Sequence, residues 1–373
     1  FMKELLLVIF TKIMITITNK TCLSLFFLIA TALMSAFLDA LTVTAVVITA
    51  LYGFYNVYQN TAPTNHTELE EFRSFLRSIV MHGAVGTALG GVCTLVGEPQ
   101  NLLIAQYTKW HFMDFFYNMA PVTLPVFLTG IALCIILEKL KLFGYGQQLP
   151  KNIYNILSNN IKTELQNHNP NFKAKLLVQS IVGLLLVVAL GFHIAEIGLI
   201  GFTILILLAA FNGIIEEPQI GKAFKEALPF TALIIIFFAI ISIINQQKLF
   251  HPLVEYILQL DSNIQPTVLY LANGFLSSIS DNVFVASIYI TQINNAFVNG
   301  LITPEQFDKL AIAINTGTNI PSIATPNGQA AFLFLLTSTL APLIRLSYGR
   351  MVYMTLPYTV ILTLTGLLMI NFI

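Results

Sequence analysis

The sequence predicts an all-α polytopic membrane protein built from two inverted-topology repeats, each with a re-entrant helical hairpin and a broken transmembrane helix. Three observations lead there. Only 10% of the 373 residues are charged and 56% are hydrophobic, with a mean hydropathy of +0.78. Soluble domains carry about 25% charged residues, so a chain this long has too little charge to cover a water-facing surface. Apolar runs recur at Leu23–Tyr55, Phe75–Leu103, Met119–Leu137, Leu176–Ile194, Gly198–Gly213, Leu228–Ile244, Thr267–Ile290, Leu310–Leu340 and Val352–Ile373, each a candidate for the membrane. Four of these runs are interrupted by polar residues, and the interruptions come in pairs.

The first pair predicts the hairpins. Ser35–Asp39 divides Leu23–Tyr55 into apolar arms of about 14 residues, which reach about 21 Å as helix, short of a hydrocarbon core of about 30 Å. The chain is therefore expected to turn back with Asp39 at the tip. Thr267–Ile290 has the same form around "SSISDN", with Asp281 and Asn282 at its middle. The second pair predicts broken helices, at "GGVCTLVGEPQN" in Phe75–Leu103 and "NTGTNIPSIATPNGQ" in Leu310–Leu340. Gly90, Gly97, Pro99, Gly317 and Pro326 permit those breaks, by conformational freedom at glycine and the missing N–H of proline. The remaining stretches read as linkers, the longest being Glu138–Lys175, rich in Asn, Gln and Lys.

Order and spacing make the pairs a repeat. Ser35-x-x-x-Asp39 matches Ser277-x-x-x-Asp281, and Gly90 precedes Pro99 by nine residues as Gly317 precedes Pro326. Pro121–Thr123 then stands to Gly130 as Pro357–Thr359 stands to Gly366. Counting crossings brings the second hairpin in from the opposite side to the first, so the halves are inverted. On that topology fifteen Lys and Arg fall on one side and only Lys109, Lys248 and Lys309 on the other, which makes the first side cytoplasmic. The expected layout is the end of a truncated N-terminal scaffold (1–20), a first repeat (21–138), a cytoplasmic loop (139–175), linking scaffold helices (176–264) and a second repeat (265–373).

Discontinuous helices in inverted repeats place ion sites near the bilayer midplane, because a break frees backbone carbonyls and aims helix ends at charge. The breaks and tips here carry Asp39, Glu98, Asn101, Asp281, Asn282, Asn315, Thr318, Asn319, Thr325 and Asn327. Such oxygen-rich groups suit a small hard cation such as Na+, and carboxylates that exchange a proton for a cation supply the competition antiport needs. Intramembrane acids are costly and usually functional, which favours transport for Asp39 and Asp281 over capping at the tips. For Glu98 capping and coordination stand level, and the amides and hydroxyls also serve to satisfy unwound backbone. His82 fits a packing role better than a proton relay, His193 with Glu196 reads as an interfacial pair, and Arg345 and Arg350 read as anchors. Cys22, Cys93 and Cys134 have no CxxC spacing, so neither a disulfide nor a zinc framework is visible, and no cofactor is called for. Eighteen basic residues balance eighteen acidic ones, against nucleic acid as a partner.

The stretches "SAFLDALTVTAVVI", "FRSFLRSIVMHGAVGTALGGVCTLVGEPQNLLIA", "SSISDNVFVASIYI" and "INTGTNIPSIATPNGQAAFLFLLTSTLAPLIRLSYGRM" resemble the NhaB family of sodium/proton antiporters of Gram-negative bacteria, over essentially the whole chain. The resemblance implies a multi-pass inner-membrane transporter, not an enzyme, that expels Na+ or Li+ in exchange for H+ and is electrogenic. The wider ion-transporter superfamily forms its ion sites at hairpin tips and helix breaks, here Asp39, Asp281–Asn282, Gly97–Asn101 and Asn315–Asn327. Sodium-coupled carboxylate symporters of that superfamily carry Ser-Asn-Thr at their tips, where this chain has Leu38-Asp39-Ala40 and Ser280-Asp281-Asn282. Glu98 also stands where many relatives have Thr before Pro, whereas Thr325 keeps it. The alternatives are such a symporter and, remotely, an intramembrane aspartyl protease, which needs a GxGD-type sequence that "FLDAL" and "SISDN" lack. Partners on this reading are Na+, Li+, H+ and the lipid bilayer, with homo-oligomerisation left open.

Overall fold

The computed structural model describes residues 3–61, 66–157, 170–214, 216–247 and 251–373, and among these every regular element is a helix. The first half comprises α1 (Lys3–Thr16), α2 (Lys20–Ser35), α3 (Ala40–Thr61), α4 (His66–Gly91), α5 (Pro99–Thr108) and α6 (Phe112–Leu140). After α7 (residues 151–157) come α8 (Pro170–Gly191), α9 (Ile197–Asn212), α10 (Glu217–Gln246) and α11 (His251–Leu258). The second half comprises α12 (Gln265–Ile279), α13 (Asn282–Val298), α14 (Pro304–Asn319), a 3-10 turn η1 (Pro321–Ala324), α15 (Ala330–Thr337), α16 (Leu340–Leu343) and α17 (Tyr348–Ile370). Much of the expected cytoplasmic loop, with Lys162 and His168, lies outside the described residues, as does Lys248.

Local chemistry sets the boundaries. Thr303 accepts from Gln306 N at 3.2 Å and Pro304 takes the first helical position of α14, while Ser347 accepts from Arg350 N at 3.4 Å at the start of α17. These side chains satisfy N–H groups that the helix leaves open, and proline fits there because its missing N–H has no role in the first turn. Among the described residues four helices are long and apolar enough to cross a membrane: Ala40–Gln59, Phe112–Leu140, Asn171–Gly191 and Tyr348–Ile370. Fewer qualify than the nine apolar runs because tips and breaks divide several runs into shorter helices. Leu128, Leu184 and Phe275 are 64%, 66% and 70% exposed, and an apolar outer surface of this kind is stable against hydrocarbon.

The break positions come out as expected. α4 stops at Gly91, residues 92–98 are non-helical, and α5 restarts at Pro99; α14 stops at Asn319, and helix resumes at Ala330 after η1. The arms flanking the aspartates differ from expectation. They have 16 and 22 residues around Asp39 and 15 and 17 around Asp281, so α3 is long enough to cross by itself. Uninterrupted helix-compatible sequence carries α3 on past the apolar stretch to Thr61. Glu138, expected to open the polar linker, instead lies in the last turn of α6 and is buried.

In each half the helix before the aspartate packs on the first segment of the broken helix. α2 lies so close to α4 that a Cβ on Gly90 would stand 1.9 Å from the carbonyl oxygen of Ala32. α12 meets α14 at Gly317, where a Cβ would stand 2.8 Å from the carbonyl oxygen of Tyr270. Only glycine allows backbones this close. At one end of the molecule Arg73 Nε and Arg77 Nη1 donate to the carbonyls of Leu343 and Ile344 at 2.9 and 2.6 Å, and Glu70 pairs with Arg345 at 2.9 Å. The expected anchor Arg345 thus joins the start of α4 to the α16–α17 junction. At the other end the ring of His193 lies 4.2 Å from that of His111.

Candidate functional site

Both aspartates cap helices. Asp39 Oδ2 accepts from Leu41 N at 3.0 Å and Thr42 N at 3.3 Å at the start of α3. Asp281 Oδ1 accepts from Val283 N at 2.9 Å and Phe284 N at 3.3 Å at the start of α13. A short acceptor at the N-cap satisfies the first N–H groups, and a carboxylate there also meets the positive helix end. Capping and ion binding need not compete, because each cap occupies a single carboxylate oxygen. Among the described residues the second oxygen of each aspartate makes no hydrogen bond.

The first break is tied off by Asn101, whose Nδ2 donates to the carbonyls of Gly91 at 2.8 Å and Thr94 at 2.6 Å. In the second break Gln329 does this work, with Nε2 donating to the carbonyl of Asn319 at 3.0 Å and to Ser322 Oγ at 2.9 Å. Thr94 donates to the carbonyl of Ala36, and Thr325 to that of Ser278 at 2.6 Å. In each half a threonine hydroxyl from the break therefore holds a carbonyl three residues before the tip aspartate. Glu98 occupies the N-cap position of α5 without capping it. Its carboxylate folds back towards Gly91, where a Cβ would stand 3.0 Å from Glu98 Oε1.

Side chains join the two breaks. Asn315 Nδ2 reaches from α14 to the carbonyl of Val92 at 3.1 Å. Asn319 Oδ1 accepts from Gln100 Nε2 at 2.7 Å and from Asn282 Nδ2 at 3.2 Å, so one amide connects the first break, the second break and the second tip. Glu98 lies within Coulombic range of both Asp39 and Asp281. Five oxygens in this region are buried with no hydrogen-bond partner among the described residues: Glu98 Oε1, Gln100 Oε1, Asn101 Oδ1, Asn282 Oδ1 and Gln329 Oε1. A buried acceptor without a donor is costly, and oxygens of this kind are what a small hard cation coordinates. Among the described residues no three His, Cys, Asp or Glu side chains converge closely enough to hold one metal ion.

Two expected site residues stand apart. The Thr318 hydroxyl is used within its own helix, donating to the carbonyls of Ile314 and Asn315 at 2.8 and 3.1 Å. Asn327 is exposed on the turn that follows η1. Conversely Gln100 and Ser277 belong to the network, Ser277 Oγ donating to the carbonyl of Thr318 at 2.5 Å. The Ser-x-x-x-Asp match was the available signal for Ser277, whereas nothing local marks Gln100.

The profile of the family described as "Bacterial Na+/H+ antiporter B (NhaB)" matches residues 1–373. A protein named "Na(+)/H(+) antiporter NhaB" from Pseudomonas entomophila is 55% identical over 97% of this chain and 76% of its own length. Proteins of the same name from Teredinibacter turnerae and Pectobacterium carotovorum are 56% and 55% identical, over 98% and 100% of this chain and 77% and 74% of their own lengths. A match of this extent, running through both tips and both breaks, places the chain in the NhaB family of bacterial Na+/H+ antiporters.

Proposed function

We propose that this chain exchanges Na+ for H+ by alternating access, with the two ions competing for Asp281, Asp39 and Glu98. Membership of the NhaB family makes it a secondary antiporter rather than an enzyme, and a multi-pass membrane protein. The observation that carries the site assignment is the set of buried, donor-less oxygens around the joined breaks, from Glu98, Gln100, Asn101, Asn282 and Gln329, beside aspartates whose caps leave one oxygen each uncommitted. A sodium ion bound there gains oxygen ligands, and a proton on an acid removes the charge that attracts it.

The finer architecture belongs to the same reading. Two inverted repeats are supported by matched devices in the two halves: an aspartate cap, a threonine tie to the tip and a glycine crossing in each. Re-entrant hairpins at both tips fit the three arms of 15 to 17 residues. Sidedness is supported by packing, since Arg73, Arg77 and Arg345 gather at one end and positive charge favours the cytoplasm. A bacterial inner membrane, outward Na+ movement and Li+ as a second cargo complete the proposal.

The test exploits the capping. Asparagine caps a helix about as well as aspartate, so Asp281→Asn and Asp39→Asn are expected to accumulate in the membrane like the parent. Both are expected to lose Na+-dependent proton movement in inverted vesicles. Full exchange in both would remove the acids from the mechanism.

A further inference from the structure

Away from the breaks, α2, α4, α6 and α17 enclose a second charged cluster. Lys20, Ser24, Ser78, His82 and Glu138 are all no more than 7% exposed. Glu138 Oε1 takes four contacts: Ser78 Oγ at 2.6 Å, Ser24 Oγ at 2.8 Å, His82 Nε2 at 2.9 Å and Lys20 Nζ at 3.1 Å. Its Oε2 accepts from Gly146 N at 3.1 Å. Lys20 Nζ donates to both serines at 2.8 Å and lies 5.0 Å from the ring centre of Phe75. On the far side of the imidazole, Nδ1 stands 2.9 Å from Tyr358 Oη, Tyr145 stacks on the ring at 4.4 Å, and Cys134 lies beside Tyr358.

We infer that His82, held between Glu138 and Tyr358, is a proton-binding site separate from the transport acids and sets the pH range of exchange. The inference rests on the exchange reading above. His82 lies nine residues before the end of α4 at Gly91, about 13 Å along the helix. Donor rules fix the proton count: an ionised carboxylate only accepts, so Nε2 carries a hydrogen and Nδ1 of the neutral ring is left to accept from Tyr358. In that state the ammonium and the carboxylate cancel. One added proton at Nδ1 leaves the cluster at +1, makes both ring nitrogens donors, and reverses the bond to Tyr358.

The proton changes a junction between parts. Lys20 and His82 sit on α2 and α4, which lead to Asp39 and the first break, whereas Glu138 and Tyr358 sit on α6 and α17. A charged imidazole beside the carboxylate tightens α4 on α6, and loss of the proton relaxes it, so exchange is held back at acid pH. A cavity of 390 Å³ lined by Lys20, Phe75, Gln148, Lys151 and Asn155 lies on the Lys20 side of the cluster. Lys151 across that cavity is the further cation. The buried ion pair is a poor source of stability, since desolvation offsets its attraction, which leaves its proton chemistry to explain the arrangement.

The test follows Na+-dependent proton movement in inverted vesicles across pH for the parent, His82→Gln and Lys20→Gln. His82→Gln keeps a donor to Glu138 but cannot titrate, and its acid limb should move to lower pH by at least about one unit, a tenfold change in proton affinity. Lys20→Gln keeps donation to the serines but removes a repelling charge, and its limb should move the opposite way. KM for Na+ at alkaline pH should stay within twofold of the parent in His82→Gln. Limbs that superimpose on the parent, or that move the same way, overturn the inference. A parent without exchange would instead overturn the antiport reading. In that case, or if a variant fails to accumulate, nitrogen-15 histidine resonances of the purified parent chain decide: a buried ring that titrates supports the site, and one that stays neutral at every pH overturns it.

Discussion

At the scale of single residues, the site depends on side chains that do two jobs. Asp39 and Asp281 cap helices with one oxygen and keep the other, so a costly charge in an apolar setting is partly offset by the N–H groups it satisfies. Asn319 is the other double worker, since its Oδ1 receives Gln100 and Asn282 while its Nδ2 donates to the carbonyl of Asn315 at 2.8 Å. Asn319→Ala strands two buried amide donors. The expected cost is about 1–3 kcal/mol for each unsatisfied group, read as a lower unfolding midpoint of the purified protein, and exchange should fall with it. The sequence pointed to Asn319 and both aspartates because each sits at a local interruption of an apolar run. Gln100 was not legible, because its role comes from reaching a residue 219 positions away.

At the scale of elements, the breaks and the helices beside them behave as units. α2 and α12 press against α4 and α14 at glycines, and the following threonine ties bind break to tip. Gly90→Ala would set a methyl group against the Ala32 carbonyl, so α2 must move away from α4. Overpacking of this kind typically costs about 1–3 kcal/mol. Gly317→Ala should cost less, because its Cβ clearance is 2.8 Å rather than 1.9 Å. Thermal unfolding of the two variants in detergent checks the order, and equal losses would contradict the packing described. Breaks were readable from Gly/Pro/Asn clusters, since these act on the local backbone. Arm lengths were misjudged around Asp39, because apolar content sets how much helix the membrane covers and not where the helix stops.

At the scale of the whole molecule, the chain places basic clusters at one end and the His111–His193 contact at the other. The inverted arrangement expects the loop after α6 and the turn after α13 to face opposite compartments. Single cysteines at Lys141 and Gly300, in a background without Cys22, Cys93 and Cys134, should therefore react with a membrane-impermeant maleimide from opposite sides. Labelling of both from one side would rule out the topology. Choosing antiport over symport belongs to this scale too: acids rather than neutral amides at the tips pointed to it, and the match to the NhaB family along the full chain decided it.

By itself the sequence determined that the protein lives in a membrane, where its helices break and which aspartates stand at the interruptions. Those properties follow from composition and from interactions a few residues long. Only the tertiary structure decided which polar groups meet. Asn315 finds the carbonyl of Val92 across 223 positions, and Lys20, His82 and Glu138 close a buried cluster across as many as 118. No local pattern marks such partners, because a contact between distant segments is set by how helices pack, and packing depends on every side chain along their faces.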